Sequence, residues 1–510
     1  MNYVMGIDVG TSGTKTILVD QNGRLAASAT FDHPLYSPRH GWNEQKPEEW
    51  MDTVWKSCRA VFKQSDIQPS AVSAVGLSGQ MHGLTALDEN LKVIRPAILW
   101  NDQRSEPQCK KMTEAAGGLE GLLSYTNNRM LPGYQGGKIW WLRENEPENY
   151  SKMRHALLPK DYIRYRLTGA LTTEVSDASG TGLFDVKNRK WETKLMELYD
   201  IDSNLFPPFV ESPEFTGKIT RQTAEKTGLL PGTPVMGGGG DSVAQTTGMG
   251  LIEEGVLGIT IGTAGIIAMG TKQYRPNQEG RLQFFCNNEP GLYHVMGVML
   301  AGGGSYQWYR NTLCRGEMLE AEREGRDAYE LINKEAEVAR PGSGQLIYLP
   351  YLSGERCPYS DPNLRACFIG LSQTHTKNEL TRSVMEGVSY GLRHIGEQIQ
   401  ALYPDVAMKH IVASGGGVRA AVWRQIISDV FQLPVLTLDA AEEGGAYGAA
   451  LIAGVGIGMW PNLKTICDQM IVGTETLPDP ANKETYDELF DIYKSTYLYM
   501  KPLFDRLANS

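Results

Sequence analysis

The chain has 510 residues, a net charge of −10 and 41% apolar residues, the make-up of an ordinary globular chain with sizeable cores. Its acidic balance, with no basic run to offset it, argues against nucleic acid or an anionic membrane as a main partner. The opening MNYVMGIDVG carries no cationic leader, no apolar run approaches a membrane span, and seven scattered cysteines without a C-x-x-C pair read as reduced thiols, so the expected setting is cytoplasmic, with no disulfide framework and no zinc site.

In chain order, YVMGIDVG and TKTILVD predict two short strands joined by a Gly/Thr/Ser turn. Residues 47–64 place Trp50, Val54, Cys58 and Val61 at helical spacing, and further strands are predicted at 71–79 and 96–100. Strands alternating with helices imply an α/β fold. At 235–245 the run VMGGGGDSVAQ sets four glycines before Asp241. Near the middle of the chain this reads partly as a joint and partly as a place where something approaches the backbone closely. At 410–431 a strand runs into three glycines and then a helix with Val422, Ile426, Ile427 and Val430 apolar. Its bare backbone and helix N-terminus suit a nucleotide's base and ribose. The last long segment sets Tyr486, Leu489, Phe490, Tyr493, Tyr497 and Met500 on one face of a packing helix expected to end near Pro502.

The most informative feature is an internal echo. Gly6 to Gly13 reads GIDVGTSG and Gly258 to Gly265 reads GITIGTAG, with five of eight positions identical. Two similar α/β domains are the inference, divided as 1–247 and 248–510. Each opens with a hairpin whose Gly-Thr turn offers backbone N–H groups and a hydroxyl to phosphate. Asp8 of the first copy is Thr260 in the second. One carboxylate retained on a shared scaffold fits a metal-bridging role, because Mg2+ takes carboxylate, phosphate oxygens and water. No G-x-x-x-x-G-K-[ST], H-R-D or D-F-G occurs, which excludes P-loop and protein-kinase schemes.

With these residues in view, the chain resembles the FGGY carbohydrate kinases, and within them the members that act on xylulose. The resemblance runs from residue 3 to about 455. It is carried by GIDVGTSGTK, LSGQMHG (77–83), ILWNDQR (98–104), LLPKDYIRYRLTG (157–169), GGGD (238–241), LPYLSGERCP (349–358) and ACFIGLSQTHTKNELTRSVMEG (366–387). It implies two ribonuclease-H-like, actin-like ATPase domains related by duplication with a cleft between them. The implied activity is ATP-dependent phosphorylation of D-xylulose to D-xylulose 5-phosphate with Mg2+. Two positions depart from the family pattern: Gln135 stands where a Pro, Ser or Thr is usual, and Ser242 stands where Asn is frequent.

Such a reaction needs a base, an in-line γ-phosphate and neutralised charge. Asp241 is the candidate base and Asp8 the candidate metal ligand and second catalytic acid. The resemblance sets Met81 and His82 on the ketose, with Gln80, Trp100, Asn101, Asp102 and Ser242 as further substrate candidates. Arg104 is a candidate partner of Asp102. Gly10, Thr11 and Gly13, with Gly262 and Thr263, are expected at phosphate; Gly303 and Gly416 are expected at adenosine. Glu355 and Arg356 are read as an ion pair at a domain interface. The expected partners are a small sugar, ATP and a second copy in a homodimer. The competing readings are another FGGY sugar or polyol kinase acting on a different ketose, gluconate or polyol, an actin- or chaperone-like conformational ATPase, and a degenerate sugar sensor, against which the retained Asp8 and Asp241 speak.

Overall fold

The structure is a computed structural model and describes residues 2–508. The chain forms two compact units. The first comprises Met1–Glu253, Gly270–His294 and Glu443–Ile471; the second comprises Glu254–Met269, Val295–Glu442 and Val472–Ser510. Neither unit is continuous in sequence.

The first unit is built on strands β1 (Tyr3–Val9), β2 (Gly13–Asp20), β3 (Leu25–Asp32), β4 (Val72–Gly79), β5 (Phe215–Lys218), β6 (Pro234–Met236) and β7 (Gly239–Gly240). Their order is β5-β6-β4-β1-β2-β3, and β7 also pairs with β4. β1 and β2 form the predicted antiparallel hairpin, while β4 lies parallel to β1 with Ser78 opposite Asp8. Side chains alternate across a strand, so the two faces of β1 have different tasks. Met5, Ile7 and Val9 join Trp50, Val54, Cys58 and Val61 of the Pro47–Ser65 helix in one core cluster, as the helical spacing predicts. On the other face the Gly444–Gly456 helix comes so near that a Cβ on Gly6 would lie 1.9 Å from the Ala446 carbonyl oxygen. A Cβ on Gly76 would lie 1.9 Å from the Ala449 carbonyl oxygen. These glycines are spacers that admit a helix backbone. The predicted strand at 96–100 is reduced to Ala97–Ile98.

The second unit repeats the plan with β8 (Val256–Ile261), β9 (Gly265–Thr271), β10 (Tyr293–Met299), β11 (His410–Ser414), β12 (Val435–Leu438) and β13 (Val472–Thr476), in the order β10-β9-β8-β11-β12-β13. β8 and β9 form the second hairpin, and β11 lies parallel to β8 with Ser414 opposite Thr260. The echo is therefore one of register as well as of letters. The Ala421–Phe431 helix buries Val422, Ile426, Ile427 and Val430, as expected.

The C-terminal helix spans Lys483–Ala508 and buries Tyr486, Leu489, Phe490 and Tyr493. It does not end at Pro502, which sits inside it. A proline leaves the carbonyl four residues earlier without its helical partner. Here that residue is Leu498, which is 69% exposed, so water can take the place of the missing N–H.

Candidate active site

In the first unit β1, β4 and β7 run parallel as neighbours, and their C-terminal ends bring Asp8, Ser78 and Asp241 together. This is the edge of an α/β sheet where ligands bind. Asp241 is the first residue of the helix Asp241–Gly248, directly after β7. Burial, and next the charge of Asp8, push its carboxyl up to about 7, against the N–H groups of Ser242 and Met81. The Ser242 N–H donates to its Oδ1 at 2.7 Å. A carboxyl half ionised near neutrality is poised to take a proton. Burial also raises Asp8, with Ser78 and Lys15 acting against it. Asp8 Oδ1 is buried without a hydrogen-bond partner. A buried polar atom of this kind calls for a ligand.

The segment after β4 carries Met81 and His82. A Cβ on Gly240 would lie 2.6 Å from Met81 Cγ, which places that side chain beside the residue preceding Asp241. His82 holds a left-handed backbone (φ 70°), and its Nδ1 lies 2.7 Å from the Gly180 carbonyl oxygen. A carbonyl only accepts, so Nδ1 carries the proton. From the Gln135–Asn145 helix, Lys138 Nζ donates to the His82 carbonyl at 2.8 Å and Gln135 Nε2 to the Gly83 carbonyl at 3.1 Å. Gln135 enters the sequence reading only as a departure from a pattern; in the folded chain it pins this loop. Burial pushes Lys138 down to about 7. Trp100 is 43% exposed, and Asn101 Oδ1 is buried without a partner.

Several expectations need correction. Asp102 is fully buried, with both oxygens on the Arg104 guanidinium and the Asn43 N–H at 2.6 Å from Oδ2. A buried carboxylate must be paired, and Arg104, its expected partner, and the Asn43 N–H do so here. Gln80 is likewise fully buried, its amide 2.8 Å from Gln45 Oε1, and it serves as a strut for the hairpin turn. The four glycines lie in the sheet and core rather than in a joint, and their backbones are closely approached, as the run predicts. β7 pairs in register with Ser78 and Gly79. Added Cβ atoms would strike Glu211 and Ser212 at Gly237, Leu77 at Gly238, Asn288 at Gly239 and Met81 at Gly240. Protein approaches each of them. Gly10 and Gly262 donate their N–H groups within their own turns, to Gly13 and Ala264 carbonyls at 3.0 Å each. A Cβ on Gly13 would lie 2.7 Å from the Phe31 carbonyl oxygen, so that glycine closes the hairpin. Glu355 is a backbone clamp: its Oε1 accepts the N–H groups of Leu300 at 2.9 Å and Arg356 at 2.7 Å.

In the second unit, Gly262, Thr263, Gly303 and Gly416 line one cavity of about 550 Å³. That is the size of a small-molecule site. The Gly303 N–H donates to the Gly262 carbonyl at 2.8 Å and the Gly304 N–H to the Thr263 carbonyl at 3.0 Å, which stacks the two glycine turns. No atom lies within 4 Å of a Cβ added to Gly416, leaving open space above it. The wall is aromatic and polar. Tyr306 stacks on Tyr329 (5.4 Å), meets Trp423 edge-on (5.3 Å) and donates to Asn333 Oδ1 at 2.9 Å. Asp327 and Glu330 also line it. Sequence reasoning missed these wall residues, since three separate helices supply them and no local motif marks them.

Two family models match the chain: the N-terminal domain of the FGGY family of carbohydrate kinases over residues 3–248, and the C-terminal domain of that family over 257–457. A xylulose kinase of Bacillus subtilis is 37% identical over 99% of this chain and 98% of its own length. A gluconokinase of the same organism is 29% identical, covering 100% of this chain and 98% of the relative. The crystal structure of a xylulose kinase from Rhodospirillum rubrum matches with a TM-score of 0.90 and 28% identity, over 99% of this chain and 100% of that one. With two sheet-containing α/β units of the actin-like ATPase kind, the chain belongs to the FGGY family of carbohydrate kinases and is an ATP-dependent sugar kinase.

Proposed function

We propose that this chain transfers the terminal phosphoryl group of ATP to D-xylulose, giving D-xylulose 5-phosphate. The observation that carries the reading is the Asp241 carboxyl, pushed up to about 7 and set beside Asp8 and Met81. Xylulose is chosen over other acceptors on the relative that bears that name at 37% identity. Asp241 takes the proton of the attacking hydroxyl as that oxygen bonds to the γ-phosphorus. The bond from phosphorus to the bridging oxygen breaks, and ADP leaves with its electron pair. Met81 and His82 hold the ketose, with the imidazole oriented by the Gly180 carbonyl. Trp100 offers an exposed face, Asn101 Oδ1 an acceptor, and Ser242 a neighbour to the base. Asp102 and Gln80 support these residues from below.

Gly10, Thr11 and Gly13 shape the first phosphate turn, and Gly262 and Thr263 the second. Gly303 and Gly416, with the Tyr306, Tyr329 and Asn333 wall, receive the nucleoside. Asp8, with its orphaned Oδ1, fits a Mg2+ ion, which would offset phosphate charge when bound. The sequence division at 247–248, a homodimeric assembly and a cytoplasmic setting complete the reading; sedimentation of the purified protein tests the assembly.

The test of function is ADP release from Mg-ATP with a panel of ketoses, aldoses, polyols and gluconate. Xylulose is expected to give the highest kcat/KM. A preference for gluconate is the second reading, favoured by the gluconokinase relative at 29% identity. ATP hydrolysis indifferent to every sugar would sink both and leave a conformational ATPase.

A further inference from the structure

The turn of the first hairpin is held from several sides. Gln45 Nε2 donates to the Thr11 carbonyl at 2.7 Å, and His33 Nε2 lies 3.0 Å from the Gly10 carbonyl oxygen. With the backbone fixed, the remaining freedom at Thr11 is rotation of its hydroxyl. That hydroxyl has two neighbours. Trp100 Nε1 lies 2.8 Å from Thr11 Oγ1, and Gln80 Oε1 lies 3.4 Å from it. An indole N–H only donates, so Thr11 accepts from Trp100. A hydroxyl has one hydrogen, and here its nearest acceptor is a long 3.4 Å away. A Cβ on Gly10 would meet only the Gly13 carbonyl oxygen, in ordinary contact at 3.6 Å, so the turn leaves room for a ligand without a clash. Phosphate oxygens only accept. Trp100 is itself 43% exposed.

We propose that Trp100 is a positioning residue for phosphoryl transfer: its indole N–H caps a lone pair of the Thr11 hydroxyl, turns the single hydroxyl hydrogen toward an incoming phosphate, and links the sugar side of the site to the phosphate turn. A sugar resting on the ring steadies the indole, and the indole steadies the donor. This rests on the kinase reading above, in which Thr11 meets phosphate and Trp100 faces sugar.

Trp100→Phe tests it, because phenylalanine keeps an aromatic wall and loses only the N–H. The expected result is a fall of about tenfold in kcat/KM for ATP and in affinity for a non-hydrolysable ATP analogue, the scale of one oriented hydrogen bond to a charged group. The KM for sugar should stay within about threefold, since the apolar wall persists. Thr11→Val should match Trp100→Phe, Thr11→Ser should restore most of the activity, and the double variant Thr11→Val/Trp100→Phe should be no worse than Thr11→Val alone. Losses that add in the double variant overturn the link. So does a Trp100→Phe loss confined to the sugar KM, or no loss at all. Melting temperatures of each variant identify unfolding, which the half-exposed position of Trp100 argues against. A wild-type protein that phosphorylates no sugar removes the kinase reading instead; the analogue affinities of the same variants then still decide the Trp100–Thr11 link.

Discussion

Across the parallel pair of β1 and β4, the residue opposite Ser78 is Asp8; across the corresponding pair of β8 and β11, the residue opposite Ser414 is Thr260. In the second pair Thr260 Oγ1 and Ser414 Oγ lie 2.9 Å apart and share a hydrogen bond. In the first, Asp8 keeps a buried Oδ1 without a partner, and its charge helps to hold the neighbouring carboxyl of Asp241 near 7. One scaffold thus yields a neutral, hydrogen-bonded pair and an acidic one with an unsatisfied oxygen. The difference teaches that duplication fixes the geometry of the turn, while a single substitution decides which copy carries a buried acid oxygen without a partner.

With Asp241 as the proposed base, the comparison breaks most severely when that carboxyl is removed. Asp241→Asn is expected to lower kcat by about 10²–10⁴-fold while the sugar KM moves little, measured as ADP release in steady state. Making the acidic turn neutral comes next. Asp8→Thr should lower kcat/KM for ATP by about a hundredfold, the scale of a lost charge-assisted contact in a dry site. It should also move the acid limb of the pH profile. That limb is expected near pH 7 in the wild type, because only ionised Asp241 accepts a proton. With the neighbouring negative charge gone, Asp241 ionises more easily and the limb shifts to lower pH. A limb that stays in place means that the two acids are not coupled.

The reverse exchange is gentler. Thr260→Asp puts a buried acid opposite Ser414 and should weaken binding of a non-hydrolysable ATP analogue by about tenfold, read by calorimetry, because phosphate and carboxylate repel. The smallest effect is on stability. The Asp241 carboxyl is raised in the folded chain, so its contribution is fully present below its unfolded value near 3.8 and is lost as pH rises through about 7. Asp241→Asn should therefore melt a few degrees higher than the wild type above pH 7, with the gap closing toward pH 4. Equal melting curves across that range would mean that the carboxyl is not held at a cost.

Much of this was legible in the letters. The hairpins, the Pro47–Ser65 helix face, the placement of Asp8 and Asp241, and the glycines of the second unit's cavity all follow from short motifs whose chemistry is local. Other residues are ambiguous in the letters for a shared reason: polar and small residues suit both a binding site and a tight core. The Arg104 partner of Asp102 is legible from two residues away, but the Asn43 N–H on Asp102, Gln45 against Gln80, and Leu77 and Met81 against the glycines come from distant parts of the chain.

What the sequence by itself determined is the doubled α/β plan and the chemistry available to it, because periodicity, glycine turns and a lone retained carboxylate act over a few residues. The tertiary structure decided which of those groups remain unsatisfied. It placed the Gly444–Gly456 helix against Gly6 and Gly76, gave Gln135 and Lys138 the task of pinning the His82 loop, and joined Trp100 to Thr11. Each of these contacts links residues far apart in the chain. A side chain's role depends on who meets its polar atoms, and that is set by packing rather than by the letters on either side of it.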